Sequence, residues 1–99
     1  MARTIRHLII HGRVQGVGFR AWAEDTADRL GVEGWVRNRR SGEVEMVVSG
    51  SPQAVAAMVE ACRQGPSFAH VTRIEERDAP EDELRLRGAE TGFAGLPTV

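Results

Sequence analysis

Apolar residues recur along the chain in two rhythms that take turns. Over residues 4–14 aliphatic and β-branched side chains are dense, with Leu8 and Ile10 on one face and His7, Ile9 and His11 on the other, which predicts an interior strand. The period then lengthens. Phe19, Trp22, Ala23, Thr26, Ala27 and Leu30 recur at helical spacing and Gly31 supplies a stop, so residues 19–30 predict a helix. Residues 33–39 and 43–49 return to alternation, Val44, Met46 and Val48 against Glu43, Glu45 and Val47, and join through Arg40, Ser41 and Gly42 as a hairpin. Ser51 before Pro52 is an N-cap with proline at the first helical position. Val55, Met58, Val59 and Cys62 then form the stripe of a second helix, ended by Gly65 and Pro66. Residues 70–77 predict a fourth strand, whose Val71 and Ile74 do not share a face in a regular strand, so that either a bulge or a two-sided strand is expected. Beyond an acidic turn at Pro80, Glu81, Asp82 and Glu83 come Leu84 and Leu86, then a short closing strand around Phe93.

Strand, helix, strand, strand, helix, strand is a split βαβ unit repeated, and the right-handed crossover rule gives it one outline. The expected fold is α+β, a ferredoxin-like α/β sandwich. Its sheet is antiparallel with the first strand central, both helices cover one face, and a short fifth strand lies at the C-terminus. Ninety-nine residues with 41% hydrophobic content suit a single domain over residues 1–99, with a glycine-rich tail from about residue 88 expected to be loosely ordered. Thirteen basic against 14 acidic residues, a net charge of −1, give no overall field for a polyanion or an acidic membrane. Neither nucleic acid nor membrane is therefore an expected partner, and a monomer is the default for so small a chain. The lone Cys62 cannot form an intrachain disulfide, and the apolar run in MARTIRHLII is too short for a signal peptide, so the expected location is cytoplasmic.

Candidate chemistry concentrates in residues 12–20, GRVQGVGFR, between the first strand and the first helix. Glycines let backbone N–H groups turn toward a ligand, a helix start adds a positive dipole end, and Arg20 adds a planar fork of donors. Such a loop is an oxyanion cradle, and phosphate is the natural guest. An arginine in a first helical turn opposes the helix dipole, which points to a compensating anion; an ordinary salt bridge to Glu24, four residues on, is the alternative. Gly16, Gly18 and Ala21 match the spacing of a dinucleotide fingerprint, but a hairpin follows instead of further parallel units, and no GK[ST] follows as a Walker loop requires. Asn38, late in the second strand, reads alone as a turn former.

Taken together, GRVQGVGFR and the later LGVEGWVRNRRSGEVE resemble the acylphosphatase family, and the match extends from about His11 to Val71 through the Gly65-Pro66 pair and the AHV segment. The resemblance implies hydrolysis of the carboxyl–phosphate bond of acyl phosphates, with no metal and no organic cofactor. Carried over residue by residue, it makes Arg20 the phosphate-binding arginine and Asn38 the water-positioning asparagine. Gln15, Gly16, Val17, Gly18, Phe19 and Arg20 become the backbone cradle, and a small acyl phosphate the partner. The chain departs from the family pattern at Ser41, where many members carry Asp, and in the ending GFAGLPTV, which replaces a strand of alternating apolar and basic residues. Two rival functions stay open on the residues: nucleic-acid binding across the sheet, helped by the RNRR run, and binding of phosphate or carbamoyl phosphate without turnover.

The remaining candidates read as structural. His7 and His11 lie about 13 Å apart on a strand rising ~3.3 Å per residue, too far to share a metal ion. They and His70 are expected as surface or partly buried imidazoles, Cys62 as inert core, Trp22 and Trp35 as core, and Arg37, Arg39 and Arg40 as a solvated hairpin end.

Overall fold

The structure, a computed structural model, describes residues 3–88 and 91–99. Strands β1 (Thr4–Arg13), β2 (Glu33–Asn38), β3 (Val44–Gly50), β4 (His70–Asp78) and β5 (Phe93–Gly95) form one sheet in the order β4-β1-β3-β2-β5. Helices α1 (Phe19–Leu30) and α2 (Pro52–Gln64) cover one face. β1 is central, flanked by β3 and β4, and the first four strands pair antiparallel as the sequence predicts. β5 instead runs parallel to β2, so the expected antiparallel sheet becomes mixed at that edge. The chain reaches this edge only after passing across the opposite sheet face, through the short helix α3 (Glu81–Leu84) and a 3-10 turn at Arg85–Arg87, and so enters alongside β2.

The core follows the alternation. Leu8, Ile10, Val36, Val44, Met46 and Val48 from the sheet meet Phe19, Ala23 and Ala27 of α1 and Val55, Met58, Val59 and Cys62 of α2, all nearly or fully buried. The problem of Val71 and Ile74 is solved at the β1–β4 seam. His11 pairs with Arg73 and Gly12 with Val71, so β4 carries one extra residue there and both apolar side chains reach the core. Trp35 is buried, but on the far face with Val47 and Leu84, and its Nε1 donates to the Glu83 carbonyl at 2.7 Å. The acidic segment expected to turn is therefore a helical cover for that face. Of the tail expected to be loose, Ala89 and Glu90 lie outside the described residues. From Gly92 on, backbone hydrogen bonds run along β2, from Gly34 to Gly92, Leu96 to Val36 and Val99 to Asn38.

The far face also carries an ion cluster. Glu45 of β3 accepts from His7 at 2.7 Å, Arg37 at 2.8 Å and Arg39 at 3.0 Å, and both His7 and Glu45 are buried. His7 is thus deeper than a surface or partly buried imidazole, and two arginines of the hairpin end are paired, leaving Arg40 exposed. Burial pushes the Glu45 carboxyl up, but hydrogen bonds from Arg37 and His7, the Arg37 charge and the Arg39 bond outweigh it and hold the group below its ordinary value of 4.5. A depressed carboxylate stabilises the fold fully above the unfolded value, and that stabilisation is lost as pH falls through the folded one. Glu45→Gln should cost about 2 kcal/mol at neutral pH, by leaving the partly exposed Arg37 and Arg39 without their counter-charge. Urea midpoints measured against pH should show the gap between wild type and variant constant near neutrality and closing as pH falls below the ordinary carboxyl value of 4.5.

Candidate active site

The loop of residues 15–18 feeds directly into α1, and two features of the sequence leave its amides open. Gly18 occupies the N-cap in left-handed conformation (φ 79°, ψ 21°) and Gly16 also has positive φ (75°), a region where a side chain would be strained. The first helical bond runs from the Trp22 N–H to the Gly18 carbonyl, no side chain caps the helix, and its first turn has no acidic residue. Among the described residues, the amides of the first turn therefore have no internal acceptor. α2 shows the contrast: Ser51 accepts from the Ala54 N–H at 3.1 Å and Pro52 removes a donor, so that end is closed by its own sequence. Phe19 anchors the open end. Its ring is buried and meets Trp22 edge to face at 5.2 Å, while its neighbour Arg20 is exposed.

Asn38 reaches the same place from the sheet. In β2 its side chain falls on the helix-covered face with Val36, by the two-residue alternation that sends Trp35 and Arg37 to the other face. Its backbone is held on both sides, in register with Val44 of β3 and accepting from the Val99 N–H at 3.1 Å. Val14, Gln15, Gly16, Gly18, Phe19, Arg20 and Asn38 line one cavity of about 150 Å³. Val17 packs against the core beside it. The structure thus brings Asn38, 18 residues further along the chain, to the same cavity as Arg20 and the glycine loop.

Sequence reasoning missed the side chain of Gln15, which does more than belong to the loop. Its Nε2 donates to the Arg39 carbonyl at 2.7 Å and the Glu43 carbonyl at 2.8 Å, tying the loop to the hairpin that carries Asn38. A polar residue amid glycines was the available signal, but its partners lie in another element. Gln15→Leu removes both bonds and unties the loop from the hairpin, while the Arg39 and Glu43 carbonyls keep their backbone donors at Gly42 and Arg39. A drop in kcat of about 10- to 100-fold is expected, because misplacing a reacting group by ~1 Å costs that much, and steady-state kinetics with any turned-over substrate would measure it.

Among the described residues, the i,i+4 ion pair of α1 joins Asp25 to Arg29, and none joins Arg20 to Glu24. Both of those side chains, with Gly95, Leu96 and Pro97, line a second and larger groove of about 450 Å³, so Arg20 stands between the two hollows. Cys62 is buried, and burial pushes its thiol up to about 12, which leaves no reactive thiolate. The described residues contain no group of three or more His, Cys, Asp or Glu placed to hold a metal ion. Among them, no helix is long and apolar enough to cross a membrane.

Chemically, this arrangement offers hydrogen-bond donors converging on a small cavity, one guanidinium at its mouth and one carboxamide on its wall. Comparison with known proteins gives a consistent result. The acylphosphatase family model matches residues 6–94. The chain is 58% identical to an acylphosphatase of Azorhizobium caulinodans over the whole length of both proteins. It is similar in structure to an acylphosphatase from Bacillus subtilis, with TM-score 0.80 and 35% identity, covering 93% of this chain and 97% of the other. A Coxiella burnetii acylphosphatase superposes with TM-score 0.83 at 28% identity, covering 95% of this chain and 93% of that one.

Proposed function

The chain belongs to the acylphosphatase family and hydrolyses the carboxyl–phosphate bond of acyl phosphates, and on that premise we propose that Arg20, the loop of residues 15–20 and Asn38 carry the reaction. The observation that supports this assignment is the single cavity shared by the loop, Arg20 and Asn38. The guanidinium fork holds two phosphoryl oxygens, and the amides of the loop and first helical turn hold the third. The Asn38 side-chain carbonyl accepts from a water and aims it at phosphorus. Phosphoryl transfer asks chiefly for this positioning and charge stabilisation.

A carboxylate leaving group has a conjugate-acid pKa near ~4, so it departs without a general acid. The water's proton passes to a phosphoryl oxygen of the substrate, and the products are a carboxylate and inorganic phosphate. Protein groups alone suffice for this route. Residues 1–99 act as one domain, and a monomer is favoured because the exposed large apolar residues among those described, Phe68, Leu86 and Val99, come from three separate segments. The lone, buried Cys62 fits a reducing, cytoplasmic location. The near-neutral charge balance argues against a nucleic-acid partner.

Release of phosphate from benzoyl phosphate tests the reading. Turnover undiminished by a chelator, with inorganic phosphate a competitive inhibitor, is the expected result. Turnover that ignores inorganic phosphate would contradict a product anion bound in the substrate's cradle.

A further inference from the structure

Resting on that assignment of the site, we infer that the groove between α1 and the chain after β5 receives the acyl group, and that Glu24 there selects against acyl groups carrying a second negative charge. The cavity of about 150 Å³ is lined by the loop, Arg20 and Asn38, the groups that hold the phosphoryl group and its water, and it is a third the volume of the groove beside it. The acyl substituent then extends beyond it. The groove of about 450 Å³ adjoins at Arg20, the residue common to both linings, and is large enough for an aromatic or short-chain substituent.

The lining of the groove sets its preference. Leu96 and Pro97 give an apolar wall from the tail, and Glu24, one helical turn beyond Arg20, gives a carboxylate. Among the described residues Glu24 has no cationic partner; the neighbouring α1 acid Asp25 is the one paired, with Arg29. An unneutralised carboxylate repels an anionic substituent and tolerates a neutral or cationic one. Gly95 faces it closely: a Cβ placed there would lie 2.6 Å from the Glu24 Oε2. Any side chain at that position pushes the carboxylate aside and narrows the groove.

The test compares ratios of kcat/KM, so that general effects on rate cancel. Succinyl phosphate and butyryl phosphate are nearly the same shape and differ by one carboxylate. Wild type should favour butyryl phosphate, and Glu24→Gln should raise the succinyl-to-butyryl ratio about fivefold at low salt, the scale of a partly exposed charge interaction. In ~1 M salt, where screening sets in within about 3 Å, wild type and variant should converge. Gly95→Ala should lower the benzoyl-to-acetyl ratio about fivefold, as lost pocket space does. If Glu24→Gln leaves its ratio unmoved at low salt, the inference is overturned while the phosphoryl site stands. Full-rate hydrolysis of both substrates by Arg20→Lys would overturn the site assignment and this inference together.

Discussion

Arg20→Lys should lower kcat/KM for benzoyl phosphate by at least about 10³, the loss typical of removing a preorganised oxyanion donor at the upper end of its range. The charge survives this substitution and the fork does not. A lysine ammonium is a point charge on a flexible stem, whereas a guanidinium offers two parallel N–H groups to two oxygens of one phosphoryl group. Arg20 is exposed, and among the described residues its first-turn position gives it no internal ion pair, so the fold has little to lose. Thermal midpoint should stay where it is, since surface substitutions of this kind fall within about ±0.5 kcal/mol. Inhibition by inorganic phosphate should weaken along with catalysis, because the same fork binds both. Near-normal turnover would remove Arg20 from the mechanism.

Asn38→Ala should separate binding from turnover. If the carboxamide aims the water and does not grip the phosphoryl group, kcat falls about 10²–10³-fold while the inhibition constant of inorganic phosphate stays nearly unchanged. The backbone at this position is clamped between Val44 and Val99, so truncating the side chain leaves the cavity wall standing. A large rise in the phosphate inhibition constant would contradict the water-positioning role and make Asn38 a phosphate ligand instead. The pattern across the two variants is therefore the diagnostic: Arg20 moves both quantities, Asn38 moves one.

Much of this was legible in the residues because local rules governed it. The helix of residues 19–30 was bounded by Gly18 and Gly31, both left-handed in the structure, and the stripe of α2 was announced by Ser51 and Pro52. The open turn before α1 was legible for the same reason: glycines at a strand-to-helix junction allow the positive φ seen at Gly16 and Gly18 without help from distant contacts. What the sequence hid depended on pairing across the fold. In the sequence Glu45 was one position of an alternating strand; the register of β2 against β3 sets it opposite Arg37, with His7 arriving from β1. The parallel placement of β5 follows from how the chain crosses the far face and docks Leu84 over Trp35, which no local pattern encodes. The groove at Glu24 escaped notice likewise, since one wall comes from α1 and the other from residues 95–97.

The most direct test is a crystal structure of the protein soaked with inorganic phosphate. The account predicts one anion in the loop of residues 15–20, with backbone N–H groups and two guanidinium nitrogens of Arg20 at about 3 Å from its oxygens, and the Asn38 carboxamide facing it across the cavity. Phosphate bound elsewhere, with Arg20 turned into an ion pair with Glu24, would contradict it.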